Sequence, residues 1–276
     1  MEIVRLQDGS DNASAYCLPT STGSFHEYLE LAKAIGPGHL IYGIQFADRV
    51  QMGKFKEFSS LREMTTAMLP EFLAHHRDGS ICLIGYSFAP CLAIELAQQL
   101  IGLGKTVPLV VIIDGKLPSA SFALFWRINH FIRYIGPWAI RVGAVTEKKY
   151  RSLYYYKMSG TPVGAPWYAN LPEVHQEYTK NNLVSLRSYR FEGANRNKIL
   201  LFRSTDQQDR HPLRCGTEED YGWSRVTGAS VDIVYIPGDH LLMMQNPNVT
   251  HIAKPLRPVL AGSKADIGQM TRKARS

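Results

Sequence analysis

Only four cysteines occur in the 276 residues, Cys17, Cys82, Cys91 and Cys215, and none stands in a C-x-x-C pair or beside clustered histidines. That scatter argues against both a zinc site and a disulfide framework and leaves buried, reduced thiols as the expectation. No window approaches the ~18 uninterrupted apolar residues of a membrane span. The amino-terminal stretch MEIVRLQDGSDNASAYCLP lacks a basic segment followed by an apolar core, so the expected location is cytoplasmic. Internal repeats are absent too. The net charge is +7 with a pI near 9.2, but no nucleic-acid recognition motif accompanies it, so nucleic acid is discounted as a partner. The excess is local: between Lys116 and Asn170 eight basic residues face one acid, Glu147, which gives +7 in that segment alone.

What is present is the pattern of one α/β domain. The composition, 45% hydrophobic and 20% charged, is that of an ordinary globular chain. Apolar, β-branched runs at Ala15 to Leu18, His39 to Ile44, Ile81 to Ile84, Val107 to Ile113, Lys198 to Phe202 and Val231 to Ile236 read as strands. Helical spacing fills Phe25 to Ile35, Ser59 to His76, Pro90 to Leu103, Pro172 to Tyr189 and Pro247 to Leu260. Alternation of this kind predicts a doubly wound, mainly parallel sheet covered on both faces, with ligands bound beyond the carboxyl ends of the strands. One interval breaks the rhythm. Residues from about 117 to 170 contain no strand but many aromatic residues, among them Trp126, Trp138, Tyr154 and Trp167, and read as a helical lid insertion. The domain is expected over 1–262, with residues 263–276 a basic, disordered tail.

The stretch Leu83 to Glu95, LIGYSFAPCLAIE, carries the chemistry. A serine stands between an apolar strand and a helix, with Gly85 two residues before it and Ala89 two after. The pattern GYSFA matches a nucleophile elbow, G-x-S-x-G, with Ala89 at the last position. A serine hydroxyl is a poor nucleophile at neutral pH, so Ser87 requires a base, and the base requires an acid that fixes its tautomer. Among nine histidines, His240 is best placed, because Pro237-Gly238-Asp239 turns the chain just after the strand Val231 to Ile236. Two acids compete on spacing alone: Asp114, after Val107 to Ile113, and Asp206, beyond Lys198 to Phe202. Two backbone N–H groups must also face the oxygen that becomes negative in a tetrahedral intermediate. Phe88, just after Ser87, supplies one candidate, and Ser21 in the loop Pro19 to Gly23 supplies the other.

The order of the segments IVRLQDG, CLPTSTGSFHEYLELAKAIG, LIYGIQFAD, ICLIGYSFAPCLAIELAQQL, TVPLVVIIDG and VYIPGDHLLMMQNPNV resembles the thioesterase domains that end nonribosomal peptide and polyketide synthases. The resemblance covers about residues 1 to 262. It implies an α/β-hydrolase fold and a triad of Ser87, Asp114 and His240, and so favours Asp114 over Asp206. It also implies the substrate, an acyl or peptidyl chain held as a thioester on the phosphopantetheine arm of a carrier protein, and no cofactor or metal. Nothing in this chain resembles a carrier attachment site, so the carrier is expected elsewhere. Release would go to water or to an internal amine or hydroxyl. The departure from the family is Ala89-Pro90, where glycines are usual; Pro90 falls in the first helical turn, where its missing N–H breaks no helix bond. The basic, aromatic insertion fits steering of an acidic carrier. It also keeps open a lipase-like or CoA-ester hydrolase whose lid rests on an anionic membrane, and the changed elbow keeps open a noncatalytic module of the same fold.

Overall fold

The computed structural model describes residues 1–46, 58–117, 170–193, 197–206 and 218–261, without the side chains of residues 10–12 and 187. Of the expected lid, about 117–170, residues 118–169 lie outside the described residues, as do the expected tail and Cys215.

Among the described residues seven strands form one sheet: β1 (Glu2–Gln7), β2 (Gly9–Cys17), β3 (Gly38–Gln45), β4 (Ser80–Tyr86), β5 (Leu109–Ile113), β6 (Lys198–Ser204) and β7 (Val231–Ile236). Their spatial order is β1-β3-β2-β4-β5-β6-β7. Only β1 runs antiparallel to its neighbour β3; every other pair is parallel. The helices are α1 (Leu29–Ile35), α2 (Leu61–His75), α3 (Ala89–Gly102), α4 (Glu173–Ser188), α5 (Trp223–Thr227) and α6 (Val249–Leu260).

Side chains alternate across a strand, so each central strand feeds two cores. Leu83, Val110, Ile112 and Leu201 join Met64, Met68 and Phe72 of α2 and Leu92, Leu96 and Leu100 of α3 on one face. Ile84, Val111, Ile113 and Phe202 join Leu31 and Ile35 of α1 and Ile252 and Leu256 of α6 on the other. Each such side chain, wholly buried, contributes about 1.5–3 kcal/mol. This two-faced burial is why β4, β5 and β6 read as continuous apolar runs rather than alternating ones.

Several elements differ from the sequence expectation, among them β2, which begins at Gly9 rather than Ala15 because its first residues are polar. Glu2–Gln7 is a strand, hidden because an edge position leaves it only half-buried and tolerates Glu2 on one face and Arg5 on the other. The run Val107 to Ile113 becomes a strand only from Leu109, since Pro108 has no N–H for the ladder. The single-turn helix α5 was too short for periodicity to reveal.

Candidate active site

The nucleophile elbow forms where β4 gives way to α3. Ser87 has φ 61, a left-handed conformation that a non-glycine residue adopts only when its surroundings enforce it. Its N–H donates to the Ile113 carbonyl at 3.1 Å, which ties the turn to β5. Helix and strand then approach so closely that a Cβ on Gly85 would lie 2.6 Å from the Pro90 nitrogen. Pro90 stands in the first turn of α3, and its ring fills the space over Gly115, where an added Cβ would come within 2.2 Å of Pro90 Cγ. Pro90, one of the two residues that depart from the expected pattern, thus packs the elbow against the residue that follows Asp114.

Asp114 ends β5 with φ 46, again left-handed, and its N–H donates to the Phe202 carbonyl at 2.8 Å. Its side chain is buried among donors. Oδ1 accepts from the Ser204 N–H and the Tyr221 hydroxyl, each at 3.0 Å. Oδ2 accepts from the Ser204 hydroxyl at 2.9 Å and lies 2.8 Å from His240 Nδ1. Burial by itself raises a carboxyl pKa, but the bond and charge of His240 and the donors of Ser204 outweigh it and hold Asp114 at about 2. Tyr221 is, among the described residues, the third non-glycine residue with positive φ, at 57, and the Arg203 guanidinium lies 4.5 Å from its ring centroid. Next to it, Trp223 donates from Nε1 to the Gly115 carbonyl at 2.9 Å. Ser204 at the end of β6, with Tyr221 and Trp223 beyond it, therefore braces the carboxylate that follows β5.

His240 follows β7 through the turn at Gly238. Asp239 Oδ1 accepts from the N–H groups of Leu241 and Leu242 at 2.9 and 2.8 Å, which shapes the turn. The Tyr86 hydroxyl donates to the His240 carbonyl at 2.7 Å. The two rings stack at 4.9 Å and 23°. With Nδ1 on Asp114, the other ring nitrogen Nε2 lies 3.0 Å from Ser87 Oγ. An ionised carboxylate only accepts, so Nδ1 carries the proton and Nε2 is left as the acceptor for the Ser87 hydroxyl. Asp114 is 4% exposed and the His240 side chain 41%, so the relay runs from a buried acid through an exposed base to a half-buried serine.

Of the residues singled out from sequence, Ser87, Asp114 and His240 are brought within hydrogen-bonding distance. Asp206 is not: it is exposed just beyond β6, its Oδ1 accepting from Thr205 Oγ1 at 3.2 Å and its N–H donating to the Gly238 carbonyl at 3.1 Å. Phe88 caps the start of α3 with its side chain buried. Ser21 lies in a turn closed by the Gly23 N–H on the Thr20 carbonyl at 2.9 Å. Sequence reasoning missed Tyr86, Ser204, Tyr221 and Asn182. Tyr86 was visible only as the free position of the elbow motif, and the other three touch the site from segments remote in sequence. Cys17, Cys82 and Cys91 are buried and unpaired, and burial pushes the Cys82 thiol up to about 12. Among the described residues no group of three or more His, Cys, Asp or Glu could hold a metal ion. Nor, among them, is any helix long and apolar enough to cross a membrane.

A family model described as the thioesterase domain matches residues 15–123, the stretch from β2 past the elbow and Asp114. Malpibaldin synthetase of Mortierella alpina is 23% identical over 262 residues, which cover 95% of this chain and 4% of the synthetase. A non-reducing polyketide synthase of Pseudevernia furfuracea is 23% identical over 274 residues, 91% of this chain and 12% of the synthase. The chain thus spans a small fraction of the length of these relatives. The solved thioesterase domain of NocB, from the nocardicin cluster, superposes with a TM-score of 0.62 at 17% identity, over 92% of this chain and 96% of that one. The matched family model, the synthases and the shared fold converge on one likeness, that of the hydrolase family of thioesterase domains found in nonribosomal peptide and polyketide synthases.

Proposed function

We propose that this chain is a serine thioesterase that releases an acyl or peptidyl chain from the phosphopantetheine arm of a carrier protein. The observation that carries the reading is the relay Ser87–His240–Asp114, with 3.0 Å from Oγ to Nε2 and 2.8 Å from Nδ1 to Oδ2, at the carboxyl ends of parallel strands. In this reading His240 Nε2 takes the Ser87 proton as Oγ attacks the thioester carbonyl. Asp114, already ionised, stabilises the imidazolium and holds its tautomer. The N–H groups of Phe88 and Ser21 receive the oxyanion. The tetrahedral intermediate collapses by breaking the C–S bond, His240 returns its proton to the leaving thiolate, and the acyl group remains on Ser87. A water, or an amine or hydroxyl of the chain itself, then attacks with His240 Nε2 taking its proton, the acyl–Oγ bond breaks, and His240 returns that proton to Ser87 Oγ. The product is the free acid or the cyclised chain.

No residue in this scheme needs a cofactor or metal, since the acid, base and nucleophile are all side chains and the thioester is already activated. The carrier is a partner supplied by another domain or chain. The test is direct: present a panel of acyl thioesters on a phosphopantetheine mimic and follow adduct and product by mass spectrometry, with Ser87→Ala as control. An adduct on the wild type that is missing from the control is the expected result. A product at the mass of the acid separates hydrolysis from cyclisation, which lacks the mass of water. Absence of any adduct across the panel would remove the thioesterase reading. Ester substrates and vesicle binding would then separate the lipase-like enzyme from a noncatalytic module.

A further inference from the structure

The loop Thr20–Ser24 leaves the sheet after β2, and a polar turn in such a place ordinarily keeps the freedom to reorient its peptides. Here both peptide planes that flank the Cα of Ser21 are held. The Thr20 carbonyl accepts from the Gly23 N–H at 2.9 Å; in a trans peptide the Ser21 N–H must then point the opposite way, out of the turn. The Ser21 carbonyl, in the next peptide, accepts from Asn182 Nδ2 at 2.9 Å. Asn182 lies on α4, 161 residues further along the chain, and is only 4% exposed.

Its support is equally specific. Tyr178, four residues earlier and so on the same helix face, is 3% exposed and is hydrogen-bonded to the Asn182 side chain. The Tyr178 ring lies directly on Gly23, where an added Cβ would come within 2.7 Å of it and where φ is +81. On the far side of the turn, the Thr20 hydroxyl donates to Glu27 Oε1 at 3.0 Å. A buried asparagine that only needed partners could have found them within its own helix. This one reaches across to a single carbonyl beside the candidate oxyanion donor.

We infer that Asn182, backed by Tyr178, is a positioning residue that fixes the direction of the Ser21 N–H and thereby couples α4 to the oxyanion hole. The inference rests on the reading of Ser21 as an oxyanion donor in a serine thioesterase. Loss of a whole donor costs about 10²- to 10³-fold in kcat. Loosening one by removing its clamp is expected to cost about 10- to 100-fold, with KM changed less than about threefold, because the ground-state carbonyl makes weaker use of the donor than the oxyanion does.

The experiment compares wild type with Asn182→Leu, of similar size but without the donor, and with Tyr178→Phe, which keeps the ring on Gly23 but removes the hydroxyl. Each is assayed on an acyl-phosphopantetheine thioester for kcat, KM and the rate of Ser87 acylation. Affinity is then measured for a trifluoromethyl ketone bearing the same acyl group, which adds to Ser87 and carries an oxyanion. The expected result is a parallel loss of kcat and ketone affinity at unchanged KM, large for Asn182→Leu and several-fold for Tyr178→Phe. A folded Asn182→Leu that keeps both within about twofold overturns the inference. So does a variant that only lowers the melting temperature, or one that weakens KM and ketone affinity alike. Should Asn182→Leu fail to fold, an unchanged kcat and ketone affinity in Tyr178→Phe overturns it as well. Wild type that never acylates at Ser87 is a different outcome, since it removes the thioesterase reading itself.

Discussion

The two halves of the site are held by different means. Ser87 and Asp114 terminate adjacent parallel strands, and their own N–H groups continue the ladder, to Ile113 at 3.1 Å and to Phe202 at 2.8 Å. Both keep positive φ angles, 61 and 46, which cost a non-glycine residue about 1–3 kcal/mol apiece. They persist because the sheet leaves the backbone no other path. His240 and Ser21 instead stand on loops, and side chains hold them: Tyr86, Asp239 and Asp114 for the first, Asn182 for the second. The strand-end half is fixed by main chain and packing. The loop half is fixed by individual side-chain hydrogen bonds, each removable by a single substitution.

That contrast predicts that changes beside the strand ends are felt as stability and changes beside the loops as rate, with the reacting groups themselves above both. Ser87→Ala is expected to lower turnover on an acyl thioester on the order of a million-fold, with the melting temperature nearly unchanged, since alanine bears the same backbone strain at φ 61. A residual rate near wild type would place the chemistry elsewhere. Asp114→Asn is expected to cost about 10⁴-fold in kcat, because an amide can present a donor to Nδ1 and favour the wrong tautomer. Single-turnover acylation is the measurement, and a loss below tenfold would point back to Asp206.

On the stability side, Gly115→Ala puts a methyl where the Pro90 ring already is, 2.2 Å from Cγ. Overpacking of this kind costs about 1–3 kcal/mol, read by denaturant unfolding. Pro90→Ala in the same chain should recover most of it, a coupling that a double-mutant cycle isolates. The acid limb of stability tests the buried carboxylate. Asp114 is held at about 2 against an ordinary 3.8, so the unfolded chain binds its proton first. Its contribution, about 2 kcal/mol, is present above pH ~4 and lost as the pH falls through ~2. Asp114→Asn should flatten that part of the unfolding profile, and an unchanged slope would mean the carboxylate is not held as the geometry implies. The smallest effect belongs to the loop half: Tyr86→Phe removes the donor to the His240 carbonyl and keeps the ring stack, and should lower kcat only several-fold, about 1 kcal/mol, at unchanged stability. Tyr86→Leu, which also removes the stack, should cost more.

The fold was readable in the strands that both faces bury. β4, β5 and β6 have apolar runs because helices cover them on either side, and an apolar run survives any reading frame. β1 was hidden because half of it faces solvent, and α5 because one turn has no period. The elbow was readable for a related reason: a sharp strand-to-helix turn admits only small residues around the serine, and Gly85 and Ala89 are local to it.

The sequence by itself determined the alternation of strands and helices and the local shape of the turns at Ser87, Asp114 and His240, since each depends on residues within a few positions of itself. Spacing alone could not choose between Asp114 and Asp206, because both follow apolar strands; the family resemblance favoured Asp114 without showing why. Only the tertiary structure decided which carboxylate meets His240 Nδ1, through the register that sets Ile113 against Phe202 and so brings Ser204 to Asp114. It also decided the supports, Tyr221 and Trp223 at the acid and Asn182 at the Ser21 turn, for which nearby sequence carries no signal. A side chain that closes a contact 107 or 161 residues away is selected by the packing of whole elements, and that packing exists only once the sheet has assembled.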